Sequence, residues 1–196
     1  MAAAANSKAG FLVVKQPIGP IARQSDSSVS LVFPGAFNPI HKGHIRMAEI
    51  AVEKTGQPCH FEICIDNADK GRVDTDQLVG RCSQNFGSHG LLISPATRFV
   101  DKAELFPGAT FIVGADTLTR LANVKYYAGE PAQMIAAFET IANAGCQFLV
   151  FARRIMSQDS SVTDDDLPDE LKQLCRFVPR EEFEMDISST ELRESK

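Results

Sequence analysis

Apolar positions along this chain fall into short runs that alternate with longer periodic segments. Runs rich in β-branched and aromatic residues cover Val29 to Phe33, His60 to Ile65, Leu91 to Ser94, Thr110 to Val113 and Gln147 to Phe151. Between them, apolar residues spaced three and four apart predict helices over Ile45 to Lys54, Thr75 to Phe86, Thr97 to Leu105 and Ala132 to Ala144. Strands and helices that alternate over short connections predict βαβ units. The expected fold is therefore α/β, with a doubly wound, mainly parallel sheet. In such a sheet a ligand lies beyond the carboxyl ends of the strands, near the reversal of strand order.

The first 28 residues break this pattern. Met1 to Gly10 is alanine-rich, Gln24 to Ser28 is polar, and no acidic residue precedes Asp26. We read residues 1–28 as a flexible N-terminal tail whose Phe11 to Val14 run docks on the body, and residues 29–196 as one domain. A second interruption, Ser157 to Asp166, reads as a solvated loop, and its Asp164-Asp165-Asp166 run as loop charge rather than a metal site.

Composition narrows the function. A chain of 196 residues with 44% apolar content can bury a sizeable core. Its net charge of −5 argues against a nucleic-acid partner, and no apolar run approaches a membrane span. The five cysteines are odd in number, scattered and without C-x-x-C spacing, which predicts reduced thiols in a cytoplasmic compartment. Arginine is too scarce in the tail for a strong transit-peptide signal, and the chain is compatible with a homo-oligomer.

The chemistry concentrates in Gly35-Ala36-Phe37-Asn38-Pro39-Ile40-His41-Lys42-Gly43-His44, between the first strand of the domain and its first helix. Such a junction offers unused backbone N–H groups and the positive end of a helix dipole, which suits a phosphate. Gly43 has no Cβ to keep a large anion from the backbone, and the two imidazoles add donors. At the other end, Ile187-Ser188-Ser189-Thr190 followed by Arg193 reads as another phosphate-holding helix start, although Ser188 and Glu191 also have capping-box spacing.

Together these motifs resemble the nucleotidylyltransferase superfamily, within it the nicotinamide or nicotinate mononucleotide adenylyltransferases and their cytidylyltransferase-like relatives. Phe111-Ile112-Val113-Gly114-Ala115-Asp116-Thr117 resembles the strand of that family that ends in Gly-x-Asp. The resemblance covers roughly residues 29 to 195 and implies a Rossmann-like fold and Mg²⁺-assisted transfer from ATP to a phosphate-bearing acceptor. It implies catalytic roles for His44 on the α-phosphate, His41 on the triphosphate and Arg193. It also implies nucleotide contacts from Gly35, Phe37, Asn38, Gly43, Gly114, Asp116, Arg153, Ile187, Ser188, Ser189 and Thr190. Lys70 and Arg81 are then candidates for the acceptor phosphate. Mg²⁺ is expected to ride on phosphate oxygens and water, with no protein metal ligands.

One departure bears on the acceptor. The resemblance implies a tryptophan that stacks on the pyridine ring, and this chain has none; Tyr126 and Tyr127 are the substitutes. A CTP-dependent transferase with another acceptor, or a nucleotide-binding regulator without transferase activity, stand as alternatives. A fragment of a class I aminoacyl-tRNA synthetase is disfavoured, because Ile187 to Arg193 replaces a lysine-rich second signature.

Overall fold

The structure is a computed structural model that describes residues 11–14, 22–24, 29–67, 71–72, 74–151 and 167–183. Its elements, in chain order, are β1 (Phe11–Val14), β2 (Ala22–Gln24), β3 (Leu31–Pro34), α1 (Lys42–Thr55), β4 (Cys59–Cys64), β5 (Asp66–Asn67), β6 (Gly71–Arg72) and α2 (Thr75–Cys82). They continue with β7 (Gly90–Ser94), α3 (Phe99–Leu105), β8 (Thr110–Gly114), α4 (Ala115–Leu121), α5 (Pro131–Asn143), β9 (Gln147–Phe151), α6 (Asp169–Leu174) and β10 (Cys175–Val178). Short 3-10 turns cover Val124–Tyr127 and Arg180–Glu182.

The main sheet has the order β10-β9-β8-β3-β4-β7-β1-β2. From β10 to β7 every pairing is parallel, whereas β1 joins β7 antiparallel and β2 joins β1 antiparallel. The fold is therefore α/β with a doubly wound, mainly parallel sheet. Chain order runs outward from β3 through β4 to β7, then returns to the other side of β3 as β8, β9 and β10. The reversal lies between β3 and β8, the pair whose carboxyl ends precede the phosphate-binding turn and the Gly-x-Asp segment. The Phe11 to Val14 run is paired to the body through Leu12↔Ile93, Val13↔Leu92 and Val14↔Leu91.

Alternation along each strand divides the core between the two faces. Phe111, Val113, Phe148 and Val150 point to one face with Leu118, Met134, Phe138, Ile141 and Leu171. Leu31, Phe33, Phe61, Ile63, Ile112, Leu149 and Phe151 point to the other, under Met47, Ala48, Ile50 and Ala51 of α1. Sheets covered by helices on both faces carry apolar residues at successive positions, which is why these strands read as continuous runs.

One charge breaks the apolar register. Glu62 on β4 is fully buried, and Lys102 on α3 is 4% exposed. The Lys102 ammonium donates to both Glu62 carboxylate oxygens at 2.9 and 2.7 Å and to the Ala96 carbonyl at 2.6 Å. The Ser94 hydroxyl donates to Glu62 Oε1 at 2.5 Å and accepts the Ala96 N–H at 3.2 Å. Burying such a pair is tolerable only when its hydrogen-bonding capacity is filled in this way.

The observed strands lie within two residues of the expected ones, but α2 stops at Cys82 rather than Phe86. Ser83 ends it, its hydroxyl returning to the Val79 carbonyl at 2.7 Å, and Gly87 (φ 67°) turns the chain back. Phe86 still reaches the core, so the periodicity that suggested four more helical residues reports burial instead. The short elements α4, α6 and β10 offered too few periodic positions to be read from sequence.

Candidate functional site

β3 ends at Pro34, and the turn that follows is built around the ring of Phe37. Phe37 has φ 42°, an uncommon conformation for a residue with a side chain, and its ring is 3% exposed. It packs edge-on against Phe33, Phe61 and Phe86 at centroid distances of 5.4, 5.0 and 6.0 Å. This ring requires the glycine two residues earlier, since a Cβ on Gly35 would lie 2.6 Å from Phe37 Cζ. Any nucleotide contact expected of Phe37 therefore falls to its backbone. Its ring is enclosed in the core, where it meets His44 at 5.1 Å and backs that imidazole. Gly35 serves the same packing, and its N–H donates to the Glu62 carbonyl at 3.0 Å.

Asn38 and Pro39, joined by a cis peptide bond, carry the turn to His41, the N-cap of α1. Lys42 and Gly43 form the start of the first turn, and His44 is its third residue. The rings of His41 and His44 stack at 3.6 Å with 24° between their planes. His44 Nδ1 accepts the His41 backbone N–H at 3.3 Å, so the proton of the neutral ring belongs on Nε2. The His41 carbonyl accepts from the amides of His44 and Ile45 at 3.0 and 3.3 Å. Helix geometry leaves the amides of Lys42 and Gly43 as the unused first-turn donors. An open cavity of about 460 Å³ borders this helix start, lined by Ile40, His41, Lys42, Ile45, Arg46, Glu49 and Asn85.

β8, the neighbour of β3 across the reversal, ends in Gly114, the N-cap of α4, with Asp116 exposed in the first turn. A Cβ on Gly114 would meet no protein atom within 4 Å, so protein packing does not require glycine there. The two motifs thus emerge from adjacent strand ends.

Arg81 sits in the last turn of α2. Its Nη2 donates to Gln77 Oε1 at 3.4 Å, and its buried Nε has no hydrogen-bond partner among the described residues. The tyrosines part company. Tyr127 donates its hydroxyl to the Leu121 carbonyl at 3.1 Å and packs edge-on against Phe138 at 5.9 Å; burial pushes that hydroxyl up to about 12. The scaffold thus fixes the orientation of the Tyr127 ring. Tyr126 is half-buried with the Lys125 ammonium 4.8 Å from its ring centroid. Lys70, Arg153, Ile187, Ser188, Ser189, Thr190 and Arg193 lie outside the described residues, as does the Ser157 to Asp166 segment.

Sequence reading missed Gln84. Its amide donates to the Phe37 carbonyl at 2.7 Å and accepts the Ile40 N–H at 2.7 Å, bracketing the phosphate turn. A glutamine between Ser83 and Asn85, near the end of a predicted helix, carries no signal for such a role. Glu62 did carry one, as a charge inside a strand pattern, but its partner Lys102 is 40 residues away.

Comparison with known proteins agrees with this geometry. Residues 32–79 match the family model described as Cytidylyltransferase-like. The chain is also 28% identical over 185 residues to a protein of Gloeobacter violaceus named "Probable nicotinate-nucleotide adenylyltransferase", covering 83% of this chain and 81% of that one. The matched segment contains the whole phosphate-binding turn, and that turn opens onto the reversal of a doubly wound sheet, so the match and the fold both support the nucleotidylyltransferase resemblance read from the sequence.

Proposed function

We propose that this protein transfers an adenylyl group from ATP to the phosphate of a mononucleotide, nicotinate or nicotinamide mononucleotide first, and releases pyrophosphate. The observation that carries the reading is the stacked His41–His44 pair at the start of α1, beside the sheet reversal that also bears Gly114 and Asp116. A relative named for nicotinate-nucleotide adenylyl transfer supports the choice of acceptor.

The chemistry asks little of side chains as acids or bases. An acceptor phosphate oxygen, already anionic, attacks the α-phosphorus of ATP, and the bond from that phosphorus to the β-bridging oxygen breaks. Catalysis then reduces to alignment and stabilisation of charge on the transferring group. In this reading His44 donates from Nε2 to an α-phosphate oxygen. Its tautomer is held by the His41 backbone N–H on Nδ1 and its ring by Phe37. His41, with the amides of Lys42 and Gly43, takes the triphosphate at the positive end of α1. Gly114 admits the nucleoside close to the backbone, and Asp116 accepts from the ribose. Arg81 takes the acceptor phosphate and Tyr126 the acceptor base.

Ser188, Ser189, Thr190 and Arg193 hold the β- and γ-phosphates in this scheme, with Ile187 and Arg153 beside them. Asn38 and Lys70 complete the proposed contacts. Among the described residues no group of three or more His, Cys, Asp or Glu is placed to hold a metal ion. Mg²⁺, when bound with the triphosphate, would supply charge neutralisation for the leaving pyrophosphate, and Ser188, Ser189, Thr190 and Arg193 would hold the phosphates beside it. We place the protein in a reducing, cytoplasmic compartment, in keeping with buried thiols at Cys59 and Cys146; among the described residues no helix is long and apolar enough to cross a membrane.

The second reading, CTP as donor, is favoured by the description of the matching family. Both are tested by pyrophosphate release in Mg²⁺, with ATP and CTP each crossed against nicotinate mononucleotide, nicotinamide mononucleotide, pantetheine phosphate and phosphocholine. Release with ATP and a pyridine mononucleotide is expected. Release only with CTP and phosphocholine would replace the proposal, and ATP binding without release from any pair would support a regulator.

A further inference from the structure

The phosphate-binding turn has two anchors. The Phe37 ring fixes its beginning in the core and Ile40 packs partly buried at its end, but Asn38 between them is exposed and Pro39 only partly buried. A turn that contains a residue at φ 42° keeps its shape only if its surroundings determine it. Gln84 supplies that determination. Its NH₂ donates to the Phe37 carbonyl at 2.7 Å and to the Arg81 carbonyl at 3.0 Å, and its Oε1 accepts the Ile40 N–H at 2.7 Å. One planar group thus closes both ends of the Phe37 to Ile40 segment and joins it to the last turn of α2.

The position matters more than the number of bonds. Ile40 directly precedes His41, whose own N–H holds His44 Nδ1. Arg81, whose carbonyl shares the Gln84 amide, carries the guanidinium whose buried Nε has no partner among the described residues. The open cavity beside α1 has Ile40 on one wall and Asn85, the neighbour of Gln84, on another. We infer that Gln84 is a positioning residue that sets the distance between the phosphate-binding turn and the helix bearing Arg81, and so the alignment of the two substrates. This inference rests on the transferase reading, in which the turn takes the triphosphate and Arg81 the acceptor phosphate. Gln84 touches no reacting atom; it acts through His41, His44 and Arg81.

A residue of this kind affects alignment more than binding, because each half-site stays intact while their separation loosens. Gln84→Met keeps the length of the side chain and removes all three hydrogen bonds. Gln84→Glu keeps an acceptor for the Ile40 N–H and loses the donor to the Phe37 carbonyl. With ATP and nicotinate mononucleotide, Gln84→Met should lower kcat on the order of 100-fold while both KM values stay within about threefold, as expected for misplacement at about the 1 Å scale. Gln84→Glu should fall between. The four histidines give an independent readout in ¹³C-labelled protein without any ligand. Signals of His41 and His44 should move in Gln84→Met, while those of His60 and His89 stay in place and report an intact fold. Unchanged His41 and His44 signals, or a kcat within about twofold of wild type, would overturn the inference. A wild-type protein that releases no pyrophosphate refutes the transferase reading instead, and the imidazole comparison then decides on the clamp alone.

Discussion

The Glu62–Lys102 pair is a severe test of how this core is held. Lys102→Met removes the ammonium and leaves a fully buried carboxylate with the Ser94 hydroxyl alone. At the observed 2.7 Å, and an effective permittivity of ~20, the lost attraction is about 6 kcal/mol. Part of that is offset by the desolvation of Lys102, which the variant no longer suffers. The expected net loss is about 3–5 kcal/mol, the range for breaking one half of a buried pair. For a domain whose whole stability is about 5–15 kcal/mol, such a loss is large. Urea unfolding with an unchanged slope, ~1–3 kcal/mol per M, should therefore show a midpoint lower by about 1–5 M. Glu62→Gln combined with Lys102→Met restores neutrality, keeps an acceptor for Ser94, and should recover most of the loss. A single variant costing less than about 1 kcal/mol would mean that water screens the pair as it does at a surface. A double variant as unstable as the single one would refute charge compensation as the reason for the pairing.

Other expectations follow from the site and the strands beneath it. His44→Ala should lower kcat by about 10²–10³-fold with the fold intact, since it removes a donor to developing charge; turnover within a few-fold of wild type would refute its role. Gly35→Ala should cost about 1–3 kcal/mol in chemical unfolding, because the new Cβ meets Phe37 Cζ at 2.6 Å. Gly114→Ala, which meets no protein atom, should change stability by no more than about 1 kcal/mol while raising the KM for ATP. Stability should also fall in mild acid. Burial holds both His60 and His89 below the ordinary histidine value, and the neighbouring His89 charge lowers His60 further, so the unfolded chain binds more protons. Stability is therefore full above about pH 6.5 and declines as pH falls from there toward the folded-state values, a slope that His60→Gln should reduce in melts at successive pH.

The sheet was legible because β3, β4, β7, β8 and β9 are buried on both faces and write their burial as unbroken apolar runs. The phosphate-binding turn was legible because glycine, proline and paired histidines between a strand and a helix have a specific chemistry. What failed to show were relations between distant side chains. Phe37 reads as a ligand contact, and only its φ of 42° and the space over Gly35 reveal its ring as part of the core. Tyr126 and Tyr127 are adjacent in sequence, yet the Leu121 carbonyl and Phe138 engage only Tyr127. Gln84 bonds to residues 44 and 47 positions away, and nothing local to it encodes that reach.

The antiparallel addition of β1 and β2 has a consequence for the exposed border of the sheet. Without it, β7 would end the sheet with a row of unused N–H and C=O groups beside Leu91 and Leu92, an invitation for a second chain to extend the sheet. The hairpin closes that seam and leaves as the new border a strand of only three residues, Ala22–Gln24, too short to template much. During synthesis the cover is made well before Leu91–Ile93, the strand it protects, and must wait for them. Pairings between such distant segments form late, so the seam is open in the nascent chain longer than in the finished one. Crowded expression should therefore punish substitutions in Phe11–Val14 as lost solubility before any loss of catalysis is seen.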